Sequence, residues 1–169
     1  MRSGASITGD NAAAILDALR QLSGTDVLVG IPEGNAPRED GQLNNAEIGY
    51  LQSTGATVEI DGETVTLPPR PFLEMGIEDS RDKTTAQLRL AAVEALSGNA
   101  VMAGKHLESA GQIASDAART VIEAGDRLAP LSEKTIQKRR EAKPPIAGDK
   151  PLRARGYLFR SITYVVRKG

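Results

Sequence analysis

The only histidine of the chain is its clearest candidate for acid–base or metal chemistry. A neutral imidazole can bind zinc and titrates near physiological pH, so His106 could serve as a general base or a metal ligand. It lies in the middle of a predicted helix, without the His-Glu-x-x-His spacing that places two ligands on one helix face. The sequence therefore favours a partly buried or surface helix residue at this position.

Other patterns that carry chemistry are missing from the sequence. Cysteine is absent, which excludes disulfides, thiol catalysis and most structural zinc sites. The aspartates and glutamates lack the spacing of a metal cluster or of a catalytic carboxylate pair. There is no Gly-x-x-x-x-Gly-Lys phosphate-binding loop, and no serine lies in a nucleophile elbow. We therefore expect no enzyme, no catalytic or metal site and no cofactor.

Charge is distributed unevenly along the chain. Residues 131–169 carry 11 basic and 3 acidic side chains, a net of +8, whereas residues 1–130 carry 10 and 19, a net of −9. This split predicts docking of one copy on the next, or a surface turned toward a polyanion; a solvated charged face is the simplest alternative. DNA would be contacted through phosphates, without sequence choice. The candidates for a subunit interface or a channel lining are Lys134, Lys138, Arg139, Arg140, Arg153, Arg155 and Arg160.

The composition predicts a core with few aromatic residues. There is no Trp, and only two Phe and three Tyr are present, so burial must rest on Leu, Ile, Val and Ala. Alanine-rich helices bury little area per residue, which predicts modest stability and completion by other copies. The length of 169 residues fits one domain. No segment has the length of a membrane span, and no apolar signal core begins the chain, so we expect no membrane partner and assembly in the cytoplasm.

The elements that would position these residues begin with short helices and strands. Asp10 is a predicted cap for a helix to about Leu22, with Ile15, Leu16, Leu19 and Leu22 on one face and Gly24 as its stop. A strand over 26–31 leads into a Pro- and Gly-rich loop, about 32–43, which we expect to be mobile. Asn44 or Asn45 starts a short helix ending near Gly55.

Residues 57–67 (TVEIDGETVTL) predict a β-hairpin. Two β-prone runs flank Asp61-Gly62, a dipeptide typical of tight hairpin turns. The polar faces of the hairpin suit a protruding arm that pairs with a neighbour, although a simple sheet component is the alternative. The candidate contact residues of this arm are Glu59, Asp61 and Glu63.

Helices dominate the rest of the chain. The Pro69-Arg70-Pro71-Phe72 step predicts a rigid turn that places Phe72 in the core. One helix follows to about Leu96, broken near Ser80, and a second runs over 100–124; its Gly104 and Gly111 predict the close approach of another backbone. Ser132 caps a basic helix over 133–141, a loop covers 143–151, a short helix 152–160 and a strand 161–168. The order predicts a single α+β domain with one small, mainly antiparallel sheet made of the N-terminal strand, the hairpin and the C-terminal strand.

A series of motifs along the chain resembles the neck and tail-completion proteins of long-tailed bacteriophages, often called virion morphogenesis or minor tail-component proteins. In order, the matching segments are VLVGIP (27–32), AEIGYLQSTGA (46–56), LPPRPFL (67–73), LESAGQIASDAARTVI (107–122), APLSEKTIQKRR (129–140), KPL (150–152) and GYLFRSITYVV (156–166). The residues that carry the structural motif are Pro69, Arg70, Pro71, Phe72, Gly156, Leu158 and Ser161.

The resemblance implies a structural virion protein rather than an enzyme. Members of this family form rings at the head–tail junction, assembled in the host cytoplasm, through which the genomic DNA passes. Its partners would be other copies of itself, in a sixfold or twelvefold ring, the head-side connector, and the tail terminator or tail tube proteins. This chain departs from the family pattern at Gln52-Ser53-Thr54, where relatives have His-Glu and an aromatic residue, and at Arg153-Ala154-Arg155, where relatives have Asp-Thr.

Two other functions remain open on the sequence. A tail terminator ring, which caps the tail tube, is also a small α+β ring protein. A nucleic-acid-binding accessory protein, using the basic residues of 131–169, belongs to a different class. DNA binding by the monomer would favour the accessory protein, whereas a defined ring without DNA affinity would favour the virion protein.

Overall fold

The computed structural model describes residues 12–32, 43–60 and 62–168, and within them the chain forms an α+β fold, as predicted. The described residues contain seven helices and four strands. In chain order they are α1 (Ala12–Ser23), β1 (Thr25–Gly30), α2 (Asn45–Thr54), β2 (Ala56–Ile60), β3 (Glu63–Leu67), α3 (Phe72–Asp79), α4 (Arg81–Leu96), α5 (Ala100–Ala124), α6 (Glu133–Glu141), α7 (Tyr157–Ser161) and β4 (Thr163–Lys168).

The strands form two antiparallel pairs rather than the single sheet that the sequence predicted. β1 pairs with β4, with Val27 opposite Val166, and β2 pairs with β3, with Val58 opposite Val65. The β1–β4 pair packs on α5, whereas none of the seven described helices packs extensively on the hairpin. The exposed Thr57, Glu59 and Thr66 give the hairpin a polar face, so it gains little from joining the other pair.

Helix α5 is the centre of the core. Its Leu107, Ala114, Ala118 and Ile122 are buried, and α3, α4 and the β1–β4 pair pack around it. Phe72, at the start of α3, is 0% exposed and joins Ile122 and Leu158 in the core, which confirms its predicted position. The core is therefore built mainly from small and aliphatic side chains.

Close contacts on α5 differ from the prediction. Nothing lies within 4 Å of a Cβ added at Gly104, so the prediction of a close approach is wrong there. At Gly111 the space is taken by the side chain of Tyr164, whose Cβ would lie 2.9 Å away, rather than by a backbone. The close backbone approach is made by Gly76 of α3, where an added Cβ would overlap with the backbone of Ala118.

Local signals set most helix ends as predicted. Asn44 forms a capping box with Glu47 at the start of α2, and the Ser132 hydroxyl accepts a hydrogen bond from the Thr135 amide at the start of α6. The helical segment that follows Phe72 is interrupted at Ser80, which separates α3 from α4. The predicted helix over 152–160 is wrong in extent, because Leu152 and Gly156 have φ values of 61° and 74° and α7 begins only at Tyr157.

Three predicted features fall outside the described residues. They are the Asp10 cap, the loop over 33–42 and Asp61 at the hairpin turn.

Candidate assembly surfaces and an arginine-lined pocket

Arg70 is buried just before the start of α3, where its side chain links separate segments of the chain. It is 4% exposed, and its guanidinium donates to three acceptors: Nε to the Ala129 carbonyl (2.6 Å), Nη1 to Gln52 Oε1 (2.8 Å) and Nη2 to the Pro130 carbonyl (2.9 Å). Its own amide donates to the Gln52 carbonyl at 2.7 Å. The flanking Pro69 and Pro71 stiffen the backbone that presents it. Arg70 thus joins α2 and the segment before α6 to the start of α3.

The C-terminal motif residues also hold the framework together. Gly156 adopts the left-handed conformation that lets the chain turn into α7. Leu158 is buried in the core and lies in van der Waals range of a Cβ built on Gly49 of α2. The buried hydroxyl of Ser161 donates to the Leu158 carbonyl at 2.8 Å. These three residues therefore hold α7 in place against α2.

Several basic residues of 131–169 have partners within the chain. Lys134 forms an ion pair with Glu63 of the hairpin. Arg153 contacts Glu123 at 3.2 Å and its guanidinium lies 4.9 Å from the centre of the Phe159 ring. Arg160 stacks over Tyr157 at 5.5 Å. Arg167 pairs with Asp26 at 3.1 Å. Basic residues of 131–169 therefore pair with acidic residues of 1–130 in the same chain. These ion pairs are exposed, and each contributes about 1 kcal/mol or less.

Arg139 is the one buried residue among the seven candidates for an interface or channel. It is 9% exposed, and its Nη1 donates to the carbonyls of Gly148 (3.4 Å) and Lys150 (3.0 Å). Its carbonyl accepts from the Ile146 amide at 2.9 Å, so the loop closes over the side chain. By contrast, Arg140 and Arg155 are exposed, with no acceptor among the described residues for either side chain, and Lys138 is exposed.

A half-open pocket of about 680 Å³ lies between the base of the hairpin, α6 and the segment before α7. Arg70, Arg139 and Arg155 line it together with mostly apolar side chains, among them Leu67, Leu131, Ile146, Leu152 and Leu158. Burial lowers the pKa of the Arg70 guanidinium, and the positive charge of Arg139 lowers it further. Burial also lowers the pKa of Arg139, while Asp149 acts in the opposite direction. Gln52 and Arg155, which lie in the two segments where the sequence differs from the proteins it resembles, both line this pocket.

Helices α1 and α4 expose a large apolar surface. No residue of α1 is buried in the described chain, although α1 packs beside α4. Seven large apolar side chains on the two helices are 42–57% exposed: Ile15, Leu16, Leu19, Leu88, Leu90, Val93 and Leu96. Apolar side chains that form a contiguous exposed patch mark surfaces that bind other proteins. The apolar face predicted for the first helix is thus not covered by the described part of the chain.

The hairpin carries a second candidate contact surface. Glu59 lies exposed on β2, opposite Thr64, and Glu63 is held by Lys134. The hairpin extends from the body without a covering helix. Both glutamates therefore remain candidates for contact with a neighbour.

His106 occupies a helix position of the predicted kind. It is partly buried in α5, with Nδ1 2.7 Å from Gln87 Oε1. Within the described ranges, no group of three or more His, Asp or Glu could hold a metal ion. None of the helices that the structure describes combines the length and apolarity needed to cross a bilayer.

Comparisons with protein-family models, curated proteins and solved structures find no match for this chain. The resemblance to phage neck and tail-completion proteins therefore stands on the motifs quoted above.

The sequence-based interpretation missed the α4 surface and the pocket. α4 gave no amphipathic signal, because its leucines and valine at 88, 90, 93 and 96 lie around the helix, among charged residues, instead of along one stripe. The pocket had no local signal either, since its walls come from segments more than 100 residues apart.

Proposed function

We propose that this chain is a structural subunit of a long-tailed phage virion, which forms a ring at the head–tail junction and completes the neck or tail. The ring would join the head-side connector to the tail terminator or tail tube proteins, and the genomic DNA would pass through its channel. The series of motifs along the chain supports this proposal. Its residues Arg70, Phe72, Leu158 and Ser161 are buried parts of the framework, as expected for residues that define a family fold.

The exposed surface of α1 and α4 is the observation that carries the proposal. Seven large apolar side chains, each at least 42% exposed, suit a subunit that buries part of this surface against another copy. Burying one Leu or Val side chain contributes about 1.5–3 kcal/mol, so a few of them can hold a ring interface. A head-to-tail contact of this kind closes when the rotation between copies permits.

Changing two residues of this surface should prevent assembly. For Leu16→Gln with Val93→Gln we expect the dissociation constant between copies to rise by about 100-fold, because two buried apolar contacts are lost. Analytical ultracentrifugation and negative-stain images of the purified chain measure this directly. Tyr50→Gln is the matched control, because Tyr50 is 69% exposed on α2, which packs with α7. A wild-type chain that stays monomeric, with particles complete in its absence, would reject the proposal.

Electrostatic contact between copies gives a separate prediction. Arg140→Glu with Arg155→Glu should weaken the ring, and the effect should shrink as salt rises, because exposed charges are screened within about 8–10 Å at physiological ionic strength. Lys138 and Arg153 are left unchanged, since both already have partners within the chain. Arg139 is also excluded, because its reversal would disturb the fold. Ring formation that is equal at low and high salt would assign the interface to the apolar surface alone.

A further inference from the structure

The buried guanidinium of Arg139 has an edge that the protein does not use. An arginine has five N–H donors, and both bonds that Arg139 makes within the described chain come from Nη1. Its Nε and Nη2 donate to no acceptor in the described ranges, and both keep some access to solvent although the residue as a whole is 9% exposed. These two nitrogens form one side of the planar fork that binds a carboxylate through two parallel hydrogen bonds.

The pocket that Arg139 lines has an excess of positive charge. Three arginines line it, and no acidic residue is among its described lining residues. Neither Arg70 nor Arg139 forms an ion pair with a carboxylate of the described chain, and the two guanidiniums are close enough to lower the pKa of Arg70. Buried cations normally have an anionic partner, because removing a charge from water is costly. Among the described residues the nearby negative charge is that of Asp149, which opposes the lowering of the Arg139 pKa by burial but does not line the pocket, so the described pocket walls carry no negative charge of their own.

We propose that this pocket is a binding site for a carboxylate carried on a small apolar group, with the Nε–Nη2 edge of Arg139 as its anchor. The volume of about 680 Å³ lies within the range of ligand pockets. The aliphatic walls accept the apolar group, and Arg155 at the exposed side adds a second attraction for the anion. A bound carboxylate would also relieve the repulsion between Arg70 and Arg139.

A carboxylate suits the site better than a phosphate. Both anions match the arginine fork, but a phosphate group carries more charge and loses more hydration in a pocket with mainly apolar walls. The source that we assign is an acidic side chain of a partner protein, flanked by apolar residues. Only this choice of source rests on the proposed virion function; the site itself does not.

The test measures binding of small probes to the full chain by NMR titration or calorimetry. The probes are acetyl-Leu-Glu-Leu-amide, its Gln analogue, hexanoate and inorganic phosphate. We expect the Glu peptide to bind at least tenfold more tightly than the Gln peptide, with hexanoate between them and phosphate weakest. Hexanoate binding as tightly as the Glu peptide would contradict a protein source. Equal binding of the Glu and Gln peptides, or preference for phosphate, would overturn the carboxylate site.

Variants connect the binding to the named residues. Arg139→Lys keeps the charge but loses the fork, so the Glu peptide should bind at least tenfold more weakly, while Arg140→Lys next to it should change nothing. If Arg139→Lys lowers the melting temperature strongly, Arg155→Gln replaces it, with an expected loss of a few-fold. Unchanged peptide binding in both pocket variants would overturn the assignment. A wild-type chain that binds the peptide without forming rings would reject the virion function and retain the site.

Discussion

Replacing Gly76 with alanine is expected to lower the free energy of unfolding by about 2–3 kcal/mol or more. A Cβ at this position would overlap with the backbone N and Cα of Ala118 and would lie 2.9 Å from the carbonyl carbon of Ala117. Backbone atoms of a buried helix cannot rotate away as a side chain can, so α3 must move off α5. The gain in helix propensity from Gly to Ala, about 0.5–1 kcal/mol, is too small to compensate.

Gly104→Ala is the matched control for this prediction. Gly104 lies in a helix like Gly76, but nothing is within 4 Å of its added Cβ, so the substitution should stabilise the chain by about 0.5–1 kcal/mol. Urea unfolding followed by circular dichroism measures both variants. The packing of α3 on α5 would be contradicted if the two alanines shifted the midpoint in the same direction.

The sequence predicted elements better than it predicted how they pack. Caps and breaks are local, so Asn44, Ser80 and Ser132 marked helix ends that the structure confirms. The close backbone approach was predicted at Gly104 and Gly111 but occurs at Gly76. A glycine indicates that another segment can come close, but it does not indicate whether any element does so. The separation of the hairpin from the β1–β4 pair is likewise a property of tertiary packing.

The candidate cations show the same limit at the level of single residues. Arg139 and Arg140 are neighbours in sequence, and both were predicted to line an interface or a channel. Helix α6 directs Arg139 into the pocket and Arg140 to solvent. The loop that closes over Arg139 lies up to 11 residues further along the chain, and composition alone does not predict that closure. Charge segregation predicted docking between copies or on a polyanion, whereas the structure shows three ion pairs, at Glu63, Glu123 and Asp26, that lie within the chain itself.

Arg70→Met is expected to destabilise the fold by about 3 kcal/mol, because three acceptors lose a charged donor at once. The carbonyls of Ala129 and Pro130 and the amide oxygen of Gln52 would remain in a partly enclosed site, each costing about 1–3 kcal/mol unless water reaches it. Part of this loss is offset, since burial and the charge of Arg139 already disfavour the guanidinium and lower its pKa. The loss at three acceptors exceeds this offset, so the net effect is the destabilisation of about 3 kcal/mol.

A matched substitution on the surface separates these contributions. Arg127→Met removes a guanidinium that pairs with the Asp79 carboxylate in solvent and contacts no buried acceptor, so its unfolding midpoint should change little. Arg70→Lys should be intermediate, because a single ammonium cannot reach three acceptors that surround a planar fork. If Arg70→Met unfolded at the wild-type urea concentration, water would have replaced the guanidinium, and the connection between α2 and α3 would rest on apolar packing. A loss that is largest in Arg70→Met, smaller in Arg70→Lys and absent in Arg127→Met would show that the hydrogen bonds of this buried arginine position α2, α3 and the segment before α6.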